Sequence, residues 1–187
     1  MDGHIGHLHC RYRVIGPPGS IHLAERLDRV LRGQLAAPLA EALDQGLGDD
    51  PTVYVLRRID ARLTLGVETG VADDLLARRW SERLAGAVVR GIAQDPGDGA
   101  NLVRFADQAE YVARFVVDLL RDRAWDRWYY GAFRHLKERG KAGAAGAVLL
   151  AHREHLPAIL ARLRDEGALD ALLALLDREA LETLWTQ

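Results

Sequence analysis

An aromatic segment from Val103 to Phe133 constrains this chain of 187 residues more than any other feature. It contains all three phenylalanines, two of the four tryptophans and three of the five tyrosines of the sequence. Aromatic side chains bury large areas and dominate the cores and interfaces in which they lie. No catalytic or metal-binding motif accompanies the segment. The sequence therefore predicts aromatic packing, in a core or at a docking surface.

The spacing within this segment predicts two consecutive helices that pair as a hairpin. Asp107 and Glu110 have the spacing of a capping box before the first helix. The second helix carries an aromatic stripe at α-helical spacing, formed by Trp125, Trp128, Tyr129 and Phe133. We expect the stripe to be mostly buried against Tyr111, Phe115 and Leu119. Arg127 and Tyr130 lie off the stripe, and we interpret them as candidates for contact with a partner.

Two stretches, residues 5–15 and 52–66, alternate between apolar and polar side chains, which is typical of half-buried strands. A helix that starts near Ser20 lies between them, and Pro38 predicts a kink or a break near Ala36–Ala37. We expect both strands in one sheet whose apolar face packs on this helix. The three elements form a βαβ unit if the strands are parallel.

The rest of the chain is predicted to be mainly helical. A helix capped by Asp73 or Asp74 comes first, and Leu102 to Phe105 follows as one edge strand. Short helices occupy the chain after Gly140, with Gly167 as a C-cap between two of them. The expected fold class is α+β, with residues 1–105 as an α+β domain and residues 106–187 as an all-helical half packed on it. A single domain is the alternative.

Composition excludes several classes of protein. The formal net charge of −2 gives no overall basic field that would attract nucleic acid or anionic lipid. The single cysteine, Cys10, excludes an internal disulfide. The start MDGHIGHLHC lacks a signal peptide, and no apolar run approaches the ~20 residues that span a bilayer. We expect a soluble cytoplasmic protein without membrane insertion.

The candidate chemical motifs are weak. His7 and His9 share one face of the first predicted strand, but Cys10 points the other way and no second ligand pair follows. The HREH run ending at His155 reverses the zincin order. No phosphate-binding loop is present, and neither serine has the setting of a nucleophile. We therefore expect a protein that is not an enzyme, with no metal, no cofactor and no small-molecule substrate.

The linear order of segments resembles a known family. A strand and turn are followed by a helix with a central proline, then VYVLRRIDARLTLG, VRFADQAEYVARFVVDLL and AWDRWYY. Together these resemble the tape-measure-type proteins of bacterial contractile injection systems, which are phage-tail-like particles, over roughly residues 5–135. The matching positions of the family's recurring strand are Arg58, Ile59, Leu63, Leu65 and Gly66. Ala61 stands where a leucine is more usual.

The resemblance implies a structural or assembly protein whose partners are tube, baseplate or other particle components, and which is either cytoplasmic or incorporated into a particle assembled in the cytoplasm. A helix rises ~1.5 Å per residue, so even a fully helical chain would span only about 280 Å, which suits a docking module better than a ruler. The Leu-rich tail exceeds what one face of a short helix can bury. The candidate docking residues are Arg127, Tyr130, Leu169, Leu172, Leu173 and Leu176.

Two other functional classes stay open at this point. One is a stand-alone scaffold or adaptor in another bacterial multi-gene system, docking through the same aromatic and Leu-rich helices. The other is an enzyme with an unrecognised site. Genes for sheath, tube and baseplate proteins beside this gene would favour the injection particle, and genes for an ATPase or a regulator would favour the adaptor.

Overall fold

The computed structural model describes residues 21–59 and 71–176. Helix accounts for 74% of these residues and strand for 6%. The α-helices are α1 (Ile21–Gly33), α2 (Ala36–Leu47), α3 (Asp73–Gln94), α4 (Gln108–Leu120), α5 (Gly140–Ala151), α6 (Leu156–Asp165) and α7 (Leu169–Leu175). The strands are β1 (Val53–Leu56) and β2 (Leu102–Phe105). Three 3-10 helices span Ala124–Asp126, Trp128–Arg139 and Arg153–His155.

The described residues fall into two compact units. The first contains residues 21–50, 58–59 and 71–98, and the second contains residues 51–57 and 99–176. Strand β1 therefore belongs with the second unit, although α3 of the first unit separates it from β2 in the chain. Neither unit is a continuous stretch of sequence.

The first unit is built from α1, α2 and α3. Its core consists of Leu27, Val30, Leu35, Leu76, Ala77 and Trp80. The break predicted from Pro38 is confirmed, although it falls at Gln34–Leu35 rather than at Ala36–Ala37. Pro38 is the third residue of α2, where the missing N–H would have no partner within the helix in any case.

The start of α3 differs from the prediction. Ala72 is the N-cap, and no side chain caps the helix. Asp73 is the first helical residue, and its carboxylate accepts a hydrogen bond of 2.6 Å from Nε of Arg26 on α1. Arg26 also donates to the carbonyl of Val71. The aspartate therefore joins two helices instead of capping one.

The predicted α+β fold with two long strands is wrong. Strand β1 has four residues and pairs antiparallel with β2, with Val53 opposite Phe105 and Leu56 opposite Leu102. Residues 57–59 are not strand; residues 60–66 and the predicted strand at 5–15 lie outside the described residues. The length of a pairing is set by its shorter member, and β2 has room for only four residues between the DPGDGAN loop and the cap of α4. The predicted βαβ unit consists of residues 5–15, a helix and residues 52–66, with the strands as parallel partners. The observed pair is antiparallel and joins residues 53–56 to residues 102–105, so it is not that unit.

The sheet lies in the second unit, so the C-terminal part is not strictly all-helical. Val53 and Val55 pack against the core of that unit. The predicted packing of this strand on the helix near Ser20 therefore gives way to packing against an aromatic core. The alternation correctly indicated that one face is apolar, but alternation carries no information about which core covers that face.

Helix α4 lies at the centre of the second unit. It contacts β2, the 3-10 helix Ala124–Asp126, α5, α6 and α7. Its buried residues are Ala109, Tyr111, Val112, Ala113, Phe115, Val116, Val117 and Leu119. A helix that is apolar over most of its circumference must be covered on several sides, which explains why short helices surround it.

The short helices of the tail end as predicted. Gly167 adopts φ 66° after α6, and the amide of Ala168 donates to the carbonyl of Leu163 at 2.8 Å. This is the hydrogen-bond pattern of a Schellman motif, in which glycine tolerates the left-handed conformation without a steric cost. None of the helices in the two described ranges is long and apolar enough to cross a membrane.

Candidate functional site

The aromatic residues of the 103–133 segment form one ring cluster in the second unit. Phe133 is its centre, with ring centroids 4.4 Å from Phe115 and 5.0 Å from Tyr111. Phe105 of β2 lies 4.9 Å from Tyr111, so the sheet is joined to the same cluster. Such ring pairs stabilise a fold beyond the area that they bury. The cluster therefore holds β2, α4 and the long 3-10 helix together.

Tyr130 is a fully buried member of this cluster. It is 1% exposed, and its ring lies 5.2 Å from that of Phe115. Its hydroxyl donates a hydrogen bond of 3.0 Å to Asp118, whose other carboxylate oxygen faces Arg123 at 3.3 Å. Burial, and then the negative charge of Asp118, raise the pKa of Tyr130 far above its ordinary value. The phenol therefore stays protonated and acts as a hydrogen-bond donor.

Tyr111 is buried in a similar way. Its hydroxyl donates to the backbone carbonyl of Tyr129 at 2.8 Å. Desolvation raises the pKa of Tyr111 well above its ordinary value. Both phenols thus have a structural partner, and each fastens α4 to the 3-10 segment that follows it.

The second aromatic helix is a 3-10 helix, not an α-helix, and this changes which side chains face inward. In a 3-10 helix, residues three apart share a face. Tyr130, Phe133 and Leu136 have this spacing and are all buried. A kink at Tyr130, with φ −93° and ψ 25°, lies near the start of the helix. Trp128 lies before this kink and is only half-buried.

The predicted stripe is therefore correct in part. Phe133 is buried against Tyr111 and Phe115 as expected, and Trp125 packs on Phe115 at 5.6 Å. Tyr129 is half-buried against the core. Trp128 does not belong to the buried cluster, and among the described residues its ring neighbour is Tyr129, at 5.6 Å. The sequence placed Tyr130 off the buried stripe and Trp128 on it, whereas in the structure Tyr130 is buried and Trp128 is half-buried.

The other predicted docking residues divide between surface and core. Arg127 is exposed, Leu173 is 45% exposed and Leu169 is half-buried. Leu172 is 0% exposed and Leu176 is 6% exposed, so both belong to the core and are not surface residues. The excess of leucine in α7 is explained by burial on more than one side, because α7 contacts α4, α5 and α6. Docking at Arg127, Leu169 and Leu173 stays a prediction.

A charged cleft lies beside the N-terminal half of α4. The predicted cap is present, since the amide of Glu110 donates to the N-cap Asp107 at 2.8 Å, but the carboxylate of Glu110 accepts from the amide of Ala106, at 2.6 Å, rather than from that of Asp107 as in a full capping box. Arg162 of α6 donates to the second oxygen of Asp107 at 2.7 Å. Arg114 lies 3.8 Å from Glu110 and 3.7 Å from Glu166.

The walls of this cleft are Glu110, Ala113, Arg114, Arg162, Asp165 and Glu166. Both arginines in the walls already face carboxylates of the same unit. The arrangement is suited to clamping α6 against α4, since its positive groups are used within the protein. It is a poor candidate for a ligand site.

The histidines of the HREH run have separate surroundings. Nδ1 of His152 lies 3.5 Å from the side-chain nitrogen of Gln108, and its ring meets the ring of Phe133 edge to face at 6.2 Å. Burial lowers the pKa of His152, against an opposing contribution from Glu154. His155 faces Glu154 at 3.7 Å. A neutral His152 wedged beside Phe133 serves packing.

The other metal candidates cannot be placed on the fold. His7, His9 and Cys10 lie outside the described residues. Within residues 21–59 and 71–176, no group of three or more histidine, cysteine, aspartate or glutamate side chains could hold a metal ion.

Sequence reasoning missed the outward side of the long 3-10 helix, which carries Gly131, Arg134 and Lys137 in one exposed row. The only signal in the sequence was the repeat of apolar residues every three positions, at 130, 133 and 136, which competes with the α-helical stripe. Comparison with known proteins adds nothing here, since no protein-family model, no curated protein and no solved structure matches the chain.

Proposed function

We propose that this chain is a non-enzymatic structural or assembly protein of a contractile injection particle, and that it acts by docking to other protein components. The observation that carries the proposal is the resemblance in linear order, in which Arg58, Ile59, Leu63, Leu65 and Gly66 match the sequence of the family's recurring strand, although Arg58 and Ile59 are not strand in this structure. The implied partners are tube or baseplate components. A role as an assembly module fits better than a ruler, because the described helices are short and end at breaks.

The distribution of apolar side chains supports docking. Leu150 of α5 is 36% exposed and Leu173 of α7 is 45% exposed, although α5 and α7 are in contact and both contribute to the core. Each offers exposed apolar area that a docking partner would cover. The chemistry of the described polar groups points the same way, because the two buried phenols and the two cleft arginines already have partners within the unit.

The test is deletion of the gene in a bacterium that carries it, followed by counting and measuring particles. We expect particle number, particle length or injection to fall. A strain in which all three are unaffected would contradict the assembly role and favour the scaffold or adaptor in another multi-gene system.

A second experiment locates the docking surface. Leu173→Gln should abolish co-purification with tube or baseplate components while the melting temperature changes little, because the side chain is exposed. Leu75→Gln is a matched control, since Leu75 of α3 is 41% exposed and lies in the first unit. Equal loss in both variants would contradict a specific role for α7.

A further inference from the structure

The long 3-10 helix presents a row of cationic residues to solvent. Gly131, Arg134 and Lys137 are spaced by three and are all exposed, so they share one face. The half-buried Trp128 and the exposed Arg127 precede the row in the chain, on the other side of the kink at Tyr130. The opposite row, Tyr130, Phe133 and Leu136, is buried in the ring cluster, so the helix cannot rotate to hide its outer face. We call Arg127, Trp128, Arg134 and Lys137 the outer row.

The charge of this part of the chain is opposite to that of the whole protein. Residues 121–141 contain seven basic and three acidic side chains, a net charge of +4, whereas the chain as a whole carries −2. Both lysines of the sequence, Lys137 and Lys141, lie in this stretch. A local positive surface on an acidic protein attracts acidic groups selectively, because the rest of the molecule repels them.

The basic groups of the outer row are not neutralised by their neighbours. Arg123 is paired with Asp118 and Lys141 with Asp122, at 3.3 and 2.6 Å. By contrast, Arg127, Arg134 and Lys137 make no ion pair with any residue in the described ranges. These three cations are therefore available to an external carboxylate.

Trp128 adds an apolar contact to the charged row. It lies outside the buried cluster, and in the part of the chain that the structure describes its ring contact is with Tyr129. Tryptophan and arginine are the residues most enriched where binding energy concentrates in protein interfaces. An amphipathic partner could place an apolar side chain on Trp128 and carboxylates against the three cations.

We propose that the outer row is the docking site for an acidic segment of a protein partner. This inference rests on the proposed docking function and names the chemistry of the partner. A protein segment fits better than nucleic acid or a membrane surface because Trp128 and Arg127 are of the two residue types most enriched where protein interfaces concentrate their binding energy. A short protein segment can place an apolar side chain on Trp128 beside its carboxylates.

The test uses the full chain and labelled poly-L-glutamate, with binding followed by fluorescence anisotropy. We expect saturable binding that weakens with added salt, because the contacts are solvent-exposed ion pairs. The double variant Arg134→Glu with Lys137→Glu should bind at least about tenfold more weakly, since like charges then face each other. Trp128→Ala should weaken binding without removing its salt dependence.

The matched control is Arg78→Glu with Arg79→Glu, which changes the net charge equally on an exposed part of α3 in the first unit. This variant should bind poly-L-glutamate within about twofold of the unaltered chain, because long-range screened charge alone contributes little. Circular dichroism and the melting temperature establish that each variant is folded. Equal loss in the two double variants would overturn the proposal, and so would an absence of binding to poly-L-glutamate.

Two further probes separate the classes of partner. Labelled oligothymidylate and vesicles of phosphatidylserine with phosphatidylcholine should bind more weakly than poly-L-glutamate, and either one binding as tightly would overturn the choice of a protein segment. The binding result is independent of the particle assays. If the gene deletion reduces particles but poly-L-glutamate does not bind, the outer row is wrong and the assembly role stands. If the deletion has no effect but binding to poly-L-glutamate is lost only in the outer-row variant, the outer row stands as a docking site and the assembly role is wrong.

Discussion

The hydroxyl of Tyr130 lies 3.0 Å from Oδ2 of Asp118, and the side chain of Asp118 is itself only 14% exposed. The contact joins the long 3-10 helix to the last turn of α4. Arg123, from the turn after α4, reaches the other oxygen of the same carboxylate. A single acidic side chain thus holds three consecutive pieces of chain together around the ring cluster.

Tyr130→Phe should lower the free energy of unfolding by about 1.5–3 kcal/mol, because it removes a hydrogen bond to a charged and largely buried group. The measurement is equilibrium unfolding in urea. Tyr129→Phe is the matched control, since its hydroxyl has no partner among the described residues, and it should change stability by less than about 0.5 kcal/mol. Similar values for the two variants would show that the Asp118 contact is not stabilising.

Phe133→Ala and Trp128→Ala should differ in their cost, although both remove a large aromatic group. Phe133 is at the centre of the cluster, so its loss leaves a cavity and should cost about 3–5 kcal/mol. Trp128 lies outside the buried cluster, and its loss should cost about 1 kcal/mol. Thermal or denaturant unfolding measures both costs. If Trp128→Ala costs as much as Phe133→Ala or more, Trp128 is a core residue, as the α-helical stripe predicted.

Asp107 combines a helix cap with an ion pair, and two substitutions separate the two contributions. Asp107→Ala should lower the free energy of unfolding by about 1–2 kcal/mol, through loss of the cap and of the contact with Arg162. Asp107→Asn keeps a capping oxygen and should cost less than about 1 kcal/mol. The side chains of both partners are about one-third exposed, so the ion pair is the smaller term. If Asp107→Asn lowers the free energy of unfolding as much as Asp107→Ala does, the ion pair with Arg162 contributes more than the cap.

His152 should make stability fall as the pH is lowered. Its pKa in the folded protein lies below the ordinary 6.5 because burial disfavours the charged ring, so the unfolded chain takes up the proton first. The contribution is fully present above pH 6.5 and is lost as the pH falls from there through the lowered pKa. His152→Gln should flatten the dependence of the free energy of unfolding on pH in this window. An unchanged slope would contradict the assignment.

The break before Pro38, the helix cap at Asp107 and the left-handed Gly167 could be predicted from the sequence. Each depends on interactions within a few residues: a missing amide, a side chain that reaches its own helix, and a backbone angle that glycine adopts easily. The positions of β2 and of α4 also followed from local patterns, because apolar periodicity is strong in both.

The docking residues were predicted less well, since their exposure depends on helix type. Leu172 and Leu176 were assigned to the surface because a nine-residue apolar run has too many leucines for one covered face. That argument assumed a single neighbouring helix, whereas α7 contacts three helices and leaves only part of its surface exposed. The misassignment of Tyr130 and Trp128 has a similar origin. A 3-10 helix turns about 120° per residue instead of about 100°, so faces assigned on α-helical spacing are displaced by about 60° after three residues and by about 100° after five.

By itself, the sequence determined the helix boundaries near Pro38, Asp107 and Gly167 and the presence of an apolar core, because capping, glycine and proline effects and apolar periodicity act over one or two turns. Only the tertiary structure decided that residues 53–56 pair with residues 102–105, that the pairing stops after four residues, and that the aromatic segment turns Tyr130 inward. These outcomes depend on partners distant in sequence, and an alternating pattern records a dry face without recording what covers it.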